Sequence, residues 1–229
     1  MFRCILACDL KGGVVVRGVR GEREKYRPIQ EYSRLVTTSE PREMIREMKP
    51  RETYIADLDR ITGAGDNLGA IADISSLSLT MVDAGISREE DAKLVRTAAG
   101  SIILGTETAT LSLIEALQGK DVLVSIDMRQ GRMMASDPAL ASSPSETIRR
   151  LNELELNGLI LLDVARVGSG EGIDLVLLKN SVAASKHPII VGGGVRDMRD
   201  LEQIRQAGAA GAIIASAVHS LTIPLDLLR

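Results

Sequence analysis

With 229 residues, 45% of them hydrophobic and 26% charged, the chain has the composition of a globular protein with one large core. A formal net charge of −3, one Phe, three Tyr and no Trp deny it the basic surface and stacking platforms of a nucleic-acid binder. No apolar run approaches the ~20 residues of a membrane-spanning helix. The N-terminal MFRCILACDL runs straight into a strand-like segment ending in an acid, unlike a signal peptide, so a cytoplasmic protein is expected.

The first strand candidate, residues 3–9, holds both cysteines, Cys4 and Cys8. In an extended strand their Cα atoms lie about 13 Å apart, too far to bridge. Only two histidines occur, His187 and His219, and no metal-ligand spacing appears. Buried reduced thiols, no metal and no cofactor are expected. Further strand candidates follow at 52–58, 77–82, 101–104, 121–126, 158–163, 188–191 and 211–214. The segments between them read as helices, most clearly at 41–49, 88–97, 107–118, 144–156 and 197–207, where Pro, Ser and Gly supply start and stop signals. Eight strands alternating with helices predict parallel strands joined by right-handed crossovers. The first turn, Asp9-Leu10-Lys11-Gly12-Gly13, lacks the G-x-G-x-x-G of a doubly wound sheet, and glycine clusters follow several strands. That distribution predicts a (β/α)8 barrel with its loops sharing one face. Two extended insertions, 14–17 and 132–135, each precede a polar connection, 18–40 and 136–143, expected to pass over the mouth as lids.

The insertions fall at equivalent points and prompt a search for a repeat. The run Cys8-Asp9 to Arg17 aligns with Ile126-Asp127 to Ala135, and Asp57 to Ile61 with Asp163 to Val167. Val82 to Ile86 aligns with Val191 to Val195, and Gly105-Thr106 with Ala215-Ser216. The order is kept and the offsets drift by loop-sized amounts, which predicts two similar half-barrels, about 1–119 and 120–229.

An acid closing an apolar strand is how a barrel presents a catalytic group at its C-terminal face. Asp9 and Asp127 are such a pair, on strands one and five, fit to act as general base and general acid on a substrate held between them. Different environments are needed to keep one of them protonated. Asp57 and Asp163 form a second pair, for which fixing a turn and catalysis both stay open. Gly193 and Gly194, with Ala215 and Ser216 after the last strand, sit where a barrel cradles phosphate on backbone N–H groups. The first-half counterpart, Gly85 with Gly105 and Thr106, carries Asp83 where its partner has Gly192. There an anion is repelled unless Asp83 turns away or meets a cation such as Arg88. One complete phosphate site and one compromised site are expected.

Together these residues resemble the HisA/HisF family of histidine biosynthesis over essentially the whole chain, closest to its HisA branch, the ProFAR isomerases. The carrying segments are Ala7-Cys8-Asp9-Leu10-Lys11-Gly12-Gly13 on to Arg17, Ala56-Asp57-Leu58-Asp59 with Asn67, Val124-Ser125-Ile126-Asp127, and Gly192-Gly193-Gly194-Val195-Arg196. The resemblance implies a duplicated barrel that binds a substrate with two phosphates and performs an Amadori rearrangement without metal or redox cofactor. It implies Asp9 as the base at the sugar C2 and Asp127 as the acid that helps open the ring. Lys11, Arg17 and Gly168 join the substrate-binding positions on the same ground. The chain departs from the family pattern at Leu162 (usually Thr), Val167 (usually Asp), the Asp83-Ala84-Gly85 loop, Ser87 (often Arg) and Ala215 (usually Gly), and it has no Trp after strand five. These departures fall on substrate recognition and imply a divergent member, monomeric or homo-oligomeric, acting on a phosphorylated small molecule. Two alternatives stand beside an isomerase of a phosphoribosyl compound. One is a different lyase or isomerase of cofactor biosynthesis with a single phosphate site. The other is a non-catalytic scaffold, in which Asp9 and Asp127 would be blocked or turned away from any pocket.

Overall fold

Along each strand, side chains alternate between the barrel interior and the helical shell, and that alternation organises the whole structure. A computed structural model describes residues 2–229. Its eight parallel strands are β1 (Arg3–Lys11), β2 (Glu52–Asp57), β3 (Leu79–Asp83), β4 (Ser101–Gly105), β5 (Gly119–Arg129), β6 (Leu156–Asp163), β7 (Ile189–Gly192) and β8 (Gly211–Ile214). Neighbours in this order pair in parallel, and β8 returns to β1 through Arg3↔Gly211 to Leu6↔Ile214, closing the barrel. The predicted (β/α)8 barrel is the observed fold. Ile5, Tyr54, Met81, Ile103, Leu123, Ile160, Ile190 and Ile213 fill the interior as one cluster. Residues of opposite parity, such as Leu6, Ile55, Val82, Val124 and Leu159, pack outward against the helices. Each fully buried aliphatic side chain contributes about 1.5–3 kcal/mol to this two-layer core.

Helices occupy the five segments singled out above, with shorter ends. The segment expected at 107–118 starts only at Leu111, because Thr110 caps Leu113 N–H and the residues before it serve the β4 loop. Pro144–Leu151 opens on a full Ser143–Glu146 capping box and stops early, since Leu156, the first residue of β6, already pairs with Gly119 of β5. Helices Leu58–Thr62, Leu68–Ser75, Leu175–Ala184 and Ser216–His219 complete the shell. Residues 77 and 78, expected to begin β3, instead close the preceding helix through N–H bonds to Ile74. Among the described residues no helix is long and apolar enough to cross a membrane.

The two insertions are antiparallel extensions of β1 and β5. Val14–Arg17 folds back on β1, pairing Asp9↔Val16, and Arg132–Met133 folds back on β5, pairing Met128↔Met133. Their continuations differ. The 18–40 connection crosses the mouth and docks on the loop after β6, with Arg20 N–H donating to Val167 O at 2.8 Å and Arg20 paired with Glu171 at 2.6 Å. The 136–143 connection, also expected over the mouth, is held to the side. Ser136 N–H donates to Thr106 O at 3.0 Å and Asp137 accepts from Leu111 N–H at 2.9 Å. Those bonds keep it beside the helix after β4.

Candidate active site

Side chains that close the inward parity of each strand surround a cavity of about 440 Å³ at the C-terminal end of the barrel. Asp9 and Asp127 both line it. A blocked or averted pair, expected of a scaffold, is not what this arrangement presents. Asp9 lies under the 18–40 flap, where a Cβ on Gly18 would come within 2.6 Å of its Oδ2. Burial pushes the Asp9 carboxyl up to about 7, against the pull of the Arg23 guanidinium and with the push of Asp83. Asp127 accepts from Ser125 Oγ at 2.6 Å and from Glu107 N–H at 3.3 Å. Burial and the Asp83 charge nevertheless raise its pKa well above the carboxylate range. Burial thus raises both carboxyls toward neutrality, a range in which one can keep its proton while the other ionises, as acid–base catalysis requires.

Asp83, at the end of β3, is the third acid of the cavity. It neither turns away nor meets Arg88, which pairs with Asp91 on the surface at 3.5 Å. Its Oδ1 accepts the Gly85 N–H at 3.2 Å. Its Oδ2 and that of Asp127 border the same space beside Gly105, 3.9 and 2.7 Å from where a Cβ on that glycine would stand. Tyr54 rises from β2 among these acids, and its phenol is held protonated by burial and by the charges of Asp83, Asp9 and Asp127.

The opposite wall is glycine-rich. Gly193 and Gly194 have φ of +93° and +91°, and a side chain on either would strike the carbonyl of Asp163 or Gly172. Among the described residues, the N–H groups of Gly194, Val195 and Ser216 have no acceptor. With Gly168 and Ala215 they line the cavity as a wall of backbone suited to an anion, beside the half-exposed Arg196, whose Nε and Nη2 are engaged by Asp200 at 2.9 and 2.7 Å.

The cavity thus gathers Asp9, Asp127, Arg17, Gly85 and Gly105 with the β6–β8 set Gly168, Gly193, Gly194, Ala215 and Ser216. Arg17 stacks 3.7 Å over the Tyr32 ring, and its buried Nε has no hydrogen-bond partner among the described residues. Two expected binding residues stand outside the lining. Lys11 is spent on the flap, donating from Nζ to Arg23 O at 2.9 Å. Thr106 is fully buried, and its hydroxyl donates to Met134 O at 2.8 Å while accepting Asp127 N–H at 3.0 Å. It positions Asp127 and has no donor left for a ligand. Asp57 and Asp163 have the outward parity. Asp57 takes N–H groups from Asn67 and Arg60, and Asp163 those of Gln130 and Ala165, so both fix turns.

Sequence reasoning missed Tyr54, Ser125, Glu107 and Arg23. Period-two counting back from Asp127 and across from Ala56 reaches Ser125 and Tyr54. Glu107 and Arg23 lie on loops, where no period applies. Among the described residues, no group of three His, Cys, Asp or Glu is placed to hold a metal ion.

These features define a (β/α)8 protein whose strand-end cavity opposes acids to anion-seeking backbone. The chain matches the family described as histidine biosynthesis protein over residues 3–224, and it belongs to that family. It is 32% identical to an uncharacterized protein of Methanocaldococcus jannaschii, across 98% of this chain and 96% of that protein. Phosphoribosyl isomerase A of Streptomyces coelicolor is 30% identical over 76% of this chain and 77% of its own. The 1-(5-phosphoribosyl)-5-((5-phosphoribosylamino)methylideneamino) imidazole-4-carboxamide isomerase of Thermus thermophilus is 28% identical, covering 98% and 97%.

Proposed function

We propose that this protein is a phosphoribosyl isomerase that performs an Amadori rearrangement with Asp9 as base and Asp127 as acid. The observation that carries the reading is the pair itself, two buried carboxyls of raised pKa on β1 and β5 lining one cavity. In the reaction, Asp127 protonates the ribose ring oxygen, the C1–O bond opens, and the nitrogen lone pair forms an iminium at C1. Asp9 then removes the C2 proton to give an enolamine, whose tautomerisation yields the aminoketose. The proton gained at Asp9 and the one lost at Asp127 balance, so no redox partner enters. Gly193, Gly194 and Ser216 would hold the phosphate on backbone N–H groups, and Arg17, at the end of the hairpin strand after β1, would contact the substrate from the base of the flap. We read the two halves as copies of one ancestral unit, supported by matching hairpins after β1 and β5 and by left-handed Gly85 and Gly194. The free cysteines fit a cytoplasmic setting.

The test is incubation with ProFAR, a substrate fitting the relatives' names, followed by absorbance. Isomerisation is expected, with a loss of about 10²–10⁴-fold in both Asp9→Asn and Asp127→Asn. Activity that survives either substitution overturns the assignment. Growth of a strain lacking the histidine isomerase when supplied with this chain tests the same reading in vivo. A second reading, an isomerase or lyase for a substrate with one phosphate, is favoured by one observation, the Gly85 N–H spent on Asp83. It expects no ProFAR turnover and phosphate occupancy at the β7–β8 wall alone.

A further inference from the structure

One of the chain's two histidines, His219, is 1% exposed and yet lines the cavity. It ends the short helix Ser216–His219, one turn after Ser216 and therefore on the same helix face as that residue. Burial pulls its pKa down to about 4, so near neutrality the ring is uncharged and carries one proton.

Hydrogen bonding fixes which nitrogen holds that proton. The Leu35 and Val36 N–H groups both donate to Ser33 Oγ at 3.1 Å, which fills its two lone pairs. The Ser33 hydroxyl then donates its own proton to His219 Nδ1, 2.8 Å away. Nδ1 is thus an acceptor, and the ring proton stands on Nε2. Nε2 has no hydrogen-bond partner among the described residues. Nor is it sealed off, since the sealed atoms without partners are Arg17 Nε, Arg60 Nε and Ser181 Oγ. For a ring this deeply buried, the space that reaches Nε2 is the cavity it lines.

We propose that His219 is a phosphate-binding residue, its Nε2–H donating to the anion held by the Gly194, Val195 and Ser216 N–H groups. The inference rests on the phosphate assignment of the preceding section and adds a side-chain donor to that wall. Two neighbours at the same end are already spent, Arg196 on Asp200 and the Thr222 hydroxyl on the carbonyls of Arg196 and Ala217. Consecutive flap residues instead hold two unmatched donors toward the cavity. Tyr32 lies 3.7 Å beneath the Arg17 guanidinium, and Ser33 fixes His219. The Arg17 Nε, buried without a partner in the same lining, is an observation independent of the histidine. A buried N–H without an acceptor is costly until a ligand brings one, and a phosphate oxygen is a strong acceptor that both donors can share. Donation from Nε2 also makes Nδ1 a better acceptor for Ser33. The anion thereby tightens the far end of the flap, which Arg34 N–H already joins to His219 O at 2.9 Å.

Nitrogen NMR of the full chain with labelled histidine, titrated with inorganic phosphate beside calorimetry, tests this. The chain has only two histidines, so His187→Gln assigns both rings. Near neutral pH His219 should show a protonated Nε2 and a bare Nδ1. Its Nε2–H signal should move downfield and exchange more slowly with water as phosphate saturates, while His187 stays unchanged. His219→Phe, which keeps a ring without a donor, should bind phosphate about tenfold more weakly. His219→Gln, whose amide nitrogen reaches the place of Nε2, should recover most of that loss. Melting curves confirm that both variants are folded. A proton on Nδ1, an Nε2–H signal that stays put while calorimetry shows saturation, or wild-type affinity in His219→Phe overturns the inference and leaves the phosphate assignment standing. If phosphate does not bind wild type, that assignment fails and the inference fails with it.

Discussion

The loops after β3 and β7 occupy equivalent places in the barrel and present opposite chemistry to the same cavity. After β7, Gly193 and Gly194 bring bare backbone against the Asp163 and Gly172 carbonyls and leave N–H groups without acceptors. After β3, one carboxylate in place of a glycine consumes the Gly85 N–H and adds charge beside Asp127. A single side chain therefore decides whether a left-handed glycine turn attracts an anion or repels it, with the backbone scarcely changed. The same carboxylate lifts the pKa of Asp127 and Asp9, so it acts on the chemistry as well as on recognition.

The largest expected effect lies on the acid side. Asp9→Asn should reduce isomerisation by about 10³-fold, and it should also stabilise the fold above neutrality. The sign follows from linkage: the folded-state pKa of about 7 exceeds the ordinary carboxyl value, so the folded protein binds more protons between the two. Stability due to this group is complete at acid pH and is lost as pH rises through about 7. The variant should therefore melt higher than wild type at pH ~8 and match it at pH ~4 in calorimetry. An equal difference at both values would show that burial of the charge is not the cause.

On the anion side, Gly194→Ala should weaken inorganic phosphate binding about 10- to 100-fold, as one or two charge-assisted N–H contacts are lost. It should also cost about 1–3 kcal/mol of stability, because φ of +91° and the Gly172 carbonyl both disfavour a Cβ. Gly85→Ala tests the contrast, since its N–H is not offered to a ligand. It should lower stability similarly and leave phosphate affinity unchanged. A smaller effect is expected at Ser125→Ala, which removes the 2.6 Å donor to Asp127. Turnover should fall about tenfold, and the alkaline limb of the rate profile should move to higher pH, because that donor lowers the Asp127 pKa. Smallest is Arg20→Ala. The pair with Glu171 is half exposed, so its loss should cost under about 1 kcal/mol and register mainly as faster flap opening in hydrogen exchange.

Much of this was legible in the chain. The eight strands were readable because each alternates and ends in a turn signal, and Asp9 and Asp127 because each closes such a run. Pleat parity separates the two aspartate pairs, with Asp9 and Asp127 sharing the inward phase of Ile5 and Leu123 while Asp57 and Asp163 share the outward phase of Ile55 and Leu161. Asp83 follows Met81 in the inward phase, which places its carboxylate in the cavity without any structure. Hydrogen-bond competition was not legible. Thr106 and Lys11 have ligand-binding chemistry, yet Met134, the Asp127 backbone and Arg23 claim them first. Nor does periodicity reach Arg23 or Glu107, whose positions depend on how the flap crosses the mouth.

The pH dependence of kcat/KM for ProFAR isomerisation, in wild type and in the two Asn variants, tests the aspartate pair most directly. The account predicts a bell, rising through about pH 7 as Asp9 ionises and falling at higher pH as Asp127 loses its proton. Both Asn variants should lie about 10³-fold lower across the range. A flat profile, or a bell that persists at full height in either variant, would contradict it.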